Sequence, residues 1–173
     1  MSKRKYTWLK DYTPALYRQQ SVSLEFFLDP TKTILKSKIV FDPACDKPSD
    51  LVLQGENIQL NWMKIDGRKI ELECLTFRIN ELIIPKKFLG SGEFQLETEN
   101  VLSPTTNKSL EGLYMSEDIF VTQCEPEGFR KICYSLDRPD VLSTYTTRIH
   151  GSYAHLLSNG NPVTIGKNLS LIH

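Results

Sequence analysis

The sequence predicts an all-β protein, mainly antiparallel, with its strands packed as a sandwich. Three observations carry that expectation. Apolar and polar residues alternate along Val22–Leu28 and again along 33–41. Asp66-Gly67 sits between two strand-like segments. Turn residues recur about every eight to twelve positions, and no 3.6-residue period is sustained before residue 110. At 173 residues the chain suits one domain, 1–173, with a sizeable core.

The elements follow in order. Residues 1–13 read as an extended arm, with Lys3, Arg4 and Lys5 in solvent. Val22, Leu24, Phe26 and Leu28 share one strand face, Ser23, Glu25 and Phe27 the other, and Asp29-Pro30 ends the run. Next, Leu35, Ile39 and Phe41 oppose Lys36 and Lys38, which makes an antiparallel hairpin with one solvated face. Short strands are expected at 51–53 and 58–60. Trp62–Ile65 and Arg68–Leu72 should pair across Asp66-Gly67, because that dipeptide tolerates the positive φ angles of a tight hairpin turn. Further strands fall at 81–84 and 93–99. The 110–142 segment reads as loop, a short strand and a short helical part near 127–142. Strand pattern resumes at Thr144–Ile149 and His155–Leu157, with a turn at Ser158–Pro162. It is still running at Leu169–His173, so the polypeptide is expected to continue beyond this point.

Composition narrows the function. Lys+Arg and Asp+Glu both number 21, so no positive surplus draws the chain to nucleic acid or an acidic membrane. No apolar run approaches the roughly 18 to 20 residues that span a bilayer, and the N-terminus lacks a signal peptide's apolar core. A soluble, cytoplasmic protein is the expectation. Cys45, Cys74, Cys124 and Cys133 form no C-x-x-C pair, and His150, His155 and His173 lack ligand spacing, so no metal site is expected within this chain. Nor does H-E-x-x-H occur anywhere in it.

Chemistry concentrates in Thr122-Gln-Cys-Glu-Pro-Glu-Gly-Phe-Arg130 and Leu136-Asp-Arg-Pro-Asp-Val141. Carboxylates, guanidinium groups and an amide crowd a stretch with little periodicity, which is more typical of a site than of scaffold. If Ile119–Glu125 is extended, Gln123 and Glu125 share a face, while Phe120, Thr122 and Cys124 turn into packing. An amide beside a carboxylate can receive an ammonium group, although by residue type alone the pair reads first as solvated loop residues. Arg130 and Arg138 suit forked contacts to carboxylates, and Asp137 to Asp140 can cap a helical turn, giving a network that fixes the Glu125 loop. Gly128 supplies either a special backbone angle or a close approach. A Cys124 nucleophile with His150 as base is disfavoured by the acidic neighbours, and nothing supports a carboxylate pair of Glu111 and Glu125.

Together with Asp11-Tyr-Thr-Pro14, Leu110-Glu-Gly-Leu-Tyr114 and Leu157-Ser-Asn-Gly-Asn-Pro-Val163, this segment resembles the N-terminal domain of bacterial-type aminopeptidase N. That gluzincin family consists of zinc peptidases that remove one residue at a time from peptide N-termini. The resemblance implies a saddle-like β-domain whose concave side packs on a thermolysin-like catalytic domain C-terminal to this chain, with 110–142 facing the active site. It implies that Glu125 clamps the substrate α-amino group and that Gln123 lines the first side-chain pocket. It also implies a cis Glu125-Pro126 bond and zinc ligands outside these residues, so that this chain alone is inactive. Pro126 and the cysteines at 45, 74 and 133 depart from the family pattern. The partners implied are peptide substrates and the downstream domain. The alternative is a non-catalytic β-sandwich interaction module.

Overall fold

The two longest alternating segments pair with one another. In a computed structural model, which describes residues 8–45, 49–166 and 169–172, β1 (Tyr17–Phe27) and β2 (Thr33–Pro43) run antiparallel. Val22 lies opposite Ile39 and Phe26 opposite Leu35. A register shift between Gln19 and Ser21 keeps both Tyr17 and Val22 inward despite their odd separation, because one unpaired residue reverses the alternation. Leu35, Ile39 and Phe41 are buried, and Lys36 and Lys38 point to solvent.

This hairpin seeds an eight-stranded sheet. On one side β2 pairs with β8 (Phe94–Leu102), β8 with β4 (Gln59–Ile65), and β4 with β5 (Arg68–Ile70) across Asp66-Gly67, whose φ angles are 49° and 76°. The other side begins with β11 (Thr144–His150), which runs parallel to β1, and continues through β13 (Leu169–Ile172) to β12 (Pro162–Gly166). A second sheet holds β3 (Leu51–Gln54), β7 (Glu81–Ile84) and β6 (Thr76–Arg78). Leu51, Leu53, Leu82 and Ile84 from this sheet join Val22, Leu24, Leu35, Ile39, Phe94 and Leu96 from the first in one buried cluster. Each such side chain contributes about 1.5–3 kcal/mol on burial, so this shared cluster is what joins the sheets into a sandwich.

Several local expectations are corrected. The 58–60 and 62–65 segments are one strand, β4, with a register shift between Leu60 and Trp62. His155–Leu157 is not a strand; the chain there skirts a cleft instead. The helical part of 127–142 reduces to one 3-10 turn, Phe129–Lys131. Residues Trp8 to Thr13 are exposed and include a 3-10 turn at Leu9–Asp11. The first part of the predicted arm, including Lys3 to Lys5, lies outside the described residues, as does His173.

An irregular segment is buried as deeply as the strands. Ile132, Cys133, Tyr134, Ser135 and Leu136 are all buried. Buried backbone outside a ladder needs other partners. The Gln19 side chain accepts from the Leu136 N–H at 3.0 Å, and Ser135 and Gln54 exchange backbone hydrogen bonds at 2.8 and 3.2 Å. The Gln54 side chain accepts from the Asp137 N–H at 3.0 Å. This segment carries the residues that follow onto the rim of the sandwich.

Candidate functional site

The candidate site is built on a separate hairpin. β9 (Gly112–Ser116) and β10 (Ile119–Gln123) pair antiparallel, with Gln123 opposite Gly112 and Thr122 opposite Leu113. Glu117 takes a φ of 53° in the turn between them. Gly112 itself has a φ of 71°, and a Cβ there would lie 2.6 Å from Lys131 Cβ, so the start of β9 rests directly on the 3-10 turn.

Strand geometry ends at Gln123 rather than at Glu125. The chain then turns tightly, the Gly128 N–H donating to the Cys124 carbonyl at 2.6 Å, and the Glu125-Pro126 bond is cis as the resemblance implied. Gly128 serves close approach: a Cβ there would sit 2.7 Å from the Gln123 oxygen and 2.8 Å from Cys124 Cα, both backbone atoms that cannot step aside cheaply. Asp137 anchors the turn from below. Its Oδ2 accepts from the Arg130 N–H at 3.1 Å and from Arg130 Nε at 2.8 Å, while Arg130 Nη2 donates to the Asp137 carbonyl at 3.0 Å. One carboxylate thereby caps the 3-10 turn and pairs with its guanidinium. Glu127 adds a looser ion contact to Arg130 at 3.4 Å.

Glu125 stands out against this framework. Its side chain is exposed, and its carboxylate has no hydrogen-bond or ion-pair partner among the described residues. Gln123 is exposed beside it, and its Nε2 donates to the Glu125 carbonyl at 3.1 Å, leaving the amide oxygen free of any protein donor among the described residues. The arrangement presents a carboxylate and an amide oxygen on a pinned backbone, a receptor for a cationic donor.

Other chemistries find no footing. Burial pushes the Cys124 thiol up to about 11, with Asp137 and Glu125 adding to the effect, so little thiolate forms at neutral pH. His150 is engaged elsewhere: its Nε2 is 2.9 Å from Glu25 Oε1, and its ring stacks on Phe27 at 4.5 Å. Among the described residues no three or more His, Cys, Asp or Glu side chains are grouped to hold a metal ion, so the donor set a zinc would need is not offered by them. Thr122 is exposed rather than packed, because its face of β10 borders an apolar cleft of about 550 Å³ with Phe26, Leu28, Phe120, Ile149 and Tyr153.

Gln123, Glu125, Pro126, Gly128, Arg130 and Asp137 are thus contiguous. Arg138 is not part of that group. Its guanidinium makes a forked contact to Asp140 at 2.8 and 2.7 Å and donates to the Thr13 carbonyl at 2.8 Å, while Tyr12 Oη donates to Asp140 at 3.0 Å. It ties the 137–140 loop to the N-terminal segment. Gln19, Gln54 and Lys131 support the site without any counterpart among the sequence expectations. A glutamine at an inward strand position, as at Gln19, is the signal that marks such a residue.

The chain resembles known proteins over nearly its whole length. The family described as Peptidase M1 N-terminal domain matches residues 13–169. Aminopeptidase N of Caulobacter vibrioides is 42% identical over 160 residues, which cover 91% of this chain and 18% of that protein. Aminopeptidase N of Escherichia coli is 41% identical over 167 residues, with the same coverage of 91% and 18%. The chain therefore spans about a fifth of the length of the curated relatives it matches. Among solved structures, Legionella pneumophila aminopeptidase A in complex with aspartic acid superposes with a TM-score of 0.82 at 30% identity, covering 95% of this chain and 20% of that one.

Proposed function

This chain belongs to the peptidase M1 N-terminal domain family, and from that premise we propose that it forms one wall of the active site of a zinc-dependent aminopeptidase. In this reading Glu125 receives the α-ammonium group of a peptide and Gln123 lines the pocket for its first side chain. The observation that carries the proposal is the unpartnered Glu125 carboxylate on a turn held by Arg130, Asp137 and Gly128. An exopeptidase must measure the distance from the terminal amine to the scissile bond. A carboxylate carried on a held backbone does so, because a blocked N-terminus leaves it desolvated and unpaired when the site closes.

Zinc belongs, on this proposal, to a catalytic domain outside these 173 residues, where it would polarise the scissile carbonyl. The residues of this chain bind and orient the amine, and the 173-residue polypeptide alone is expected to be inactive. No helix among the described residues is long and apolar enough to cross a membrane, which says nothing about a β-barrel. The four free cysteines support a cytoplasmic location.

Aminopeptidase kinetics on the full polypeptide, wild type against Glu125→Ala, test the proposal. Loss of a charge-assisted contact of about 2–5 kcal/mol in a closed site lowers kcat/KM by roughly 30- to several-thousand-fold. Unchanged kinetics would reduce Glu125 to a loop acid. A wild-type protein without aminopeptidase activity would favour the interaction module instead.

A further inference from the structure

We infer that Lys131 is a positioning residue for the amine clamp, holding the Gly112–Gln123 end of the hairpin against the turn that carries Glu125; this rests on the role proposed for Glu125 above. Lys131 sits where three separate pieces of chain meet. Its Nζ lies 2.6 Å from Glu111 Oε2 and 3.4 Å from Glu56 Oε1, with only 11% of its side chain exposed. Glu111 immediately precedes Gly112, the strand partner of Gln123. Gly112 in turn lies against the Lys131 stem, where an added Cβ would be 2.6 Å from Lys131 Cβ and 3.2 Å from its carbonyl oxygen. Glu56, in the connection after β3, donates its backbone N–H to the Arg130 carbonyl at 2.8 Å.

Surface ion pairs normally contribute little. This one matters for position rather than strength: the Lys131 stem is packed, and its ammonium bridges two carboxylates, on half-exposed Glu111 and partly exposed Glu56, that would repel each other without it. Both carboxylates raise the Lys131 pKa, the Glu111 hydrogen bond most, so the cation persists through the neutral range. The path to the site is short. Gln123 pairs with Gly112, and its Nε2 donates to the Glu125 carbonyl. Displacing the start of β9 therefore moves both groups of the clamp. Misplacement by about 1 Å can cost on the order of a hundredfold in a reaction that depends on orientation.

The test uses the full polypeptide and two readouts: steady-state kinetics on an aminoacyl p-nitroanilide, and the ratio of inhibition constants for an amino acid amide and its des-amino counterpart. That ratio reports recognition of the amine itself. Lys131→Met should raise KM about tenfold and lower the preference for the amine by a similar factor, and Lys131→Arg should restore both to within about twofold. A fall in kcat alone, with amine preference intact, would mean a merely structural lysine and would overturn the inference. If Lys131→Met does not fold, Glu111→Ala decides by the same criteria, since it removes the shorter contact and leaves Lys131 with Glu56. Glu125→Ala separates the two levels. Intact amine preference in that variant defeats the clamp and the inference with it, whereas a collapse there without one in the Lys131 and Glu111 variants defeats the inference alone.

Discussion

Removing the Asp137 carboxylate should cost this fold more than any exposed ion pair, and the size of the loss can be worked from its contacts. Oδ2 accepts two hydrogen bonds, one from the Arg130 peptide at 3.1 Å and one from its guanidinium at 2.8 Å. The two side chains are 11% and 19% exposed. A charge-assisted bond contributes about 1.5–3 kcal/mol, and an orphaned peptide N–H adds on the order of 1 kcal/mol. Breaking a fully buried pair costs about 3–5 kcal/mol. Arg130 would keep its bond to the Asp137 carbonyl and its contact with Glu127, which moderates the penalty. Asp137→Ala should therefore destabilise by about 2–4 kcal/mol, and Asp137→Asn, which retains one acceptor oxygen, by about half as much. Urea unfolding of the 173-residue polypeptide measures both. Combined with Arg130→Met it closes a double-mutant cycle, with an expected coupling of about 1–2 kcal/mol. If the two substitutions add to within about 0.5 kcal/mol, the pair is not what holds the turn, and the account of how Glu125 is fixed is wrong.

Two further outcomes follow from titrating groups. Arg138 above all, with Tyr12, holds the Asp140 carboxyl down at about 2 from its ordinary 3.8. A depressed folded-state pKa gives stability that is full above the unfolded value and lost as pH falls through the folded one, so the stability gap between wild type and Asp140→Asn should hold from pH 7 to 5 and shrink between about 4 and 2. Unfolding series across that range check it, and a gap that persists at pH 2 would contradict the Arg138–Asp140 geometry. Cys124, pushed from 9.0 to about 11 mainly by burial, should alkylate about 100-fold more slowly at pH 8 than an ordinary thiol. Mass-resolved iodoacetamide labelling compares it with the exposed Cys45 and Cys74, and equal rates would show that the thiol is not enclosed.

Much of the candidate site is visible in the sequence because its residues lie close together along the chain. Gln123, Glu125, Gly128 and Arg130 fall on one short stretch from the end of β10 to the 3-10 turn, and Asp137 follows Arg130 by 7 residues. The supporting contacts are not visible in that way. Lys131 meets Glu56 and Glu111 from two distant segments, and nothing in the neighbourhood of any one of the three announces the others. Arg138 illustrates the opposite error. Its closeness to Asp137 in sequence suggests one shared network, yet its guanidinium faces the N-terminal segment, because Asp140 and the Thr13 carbonyl offer it better geometry there.

Local pattern by itself determined which residues of the first hairpin face inward, where the Asp66-Gly67 turn falls, and that an all-β sandwich results. Alternation reports burial directly, and Asp66-Gly67 fits few conformations other than the hairpin turn it adopts. The tertiary structure alone decided which strands are neighbours. β11 has the alternating look of any half-buried strand, and its parallel pairing with β1 depends on contacts more than a hundred residues apart. The same holds for the buried 132–136 segment, which the sequence places in a short helical part near 127–142. It is drawn inside because Gln19 and Gln54, far away in sequence, satisfy backbone groups that would otherwise require water. Periodicity is a property of one strand and pairing a property of two, so only the folded chain brings Gln123 and Glu125 onto a backbone that Asp137 and Lys131 hold from either side.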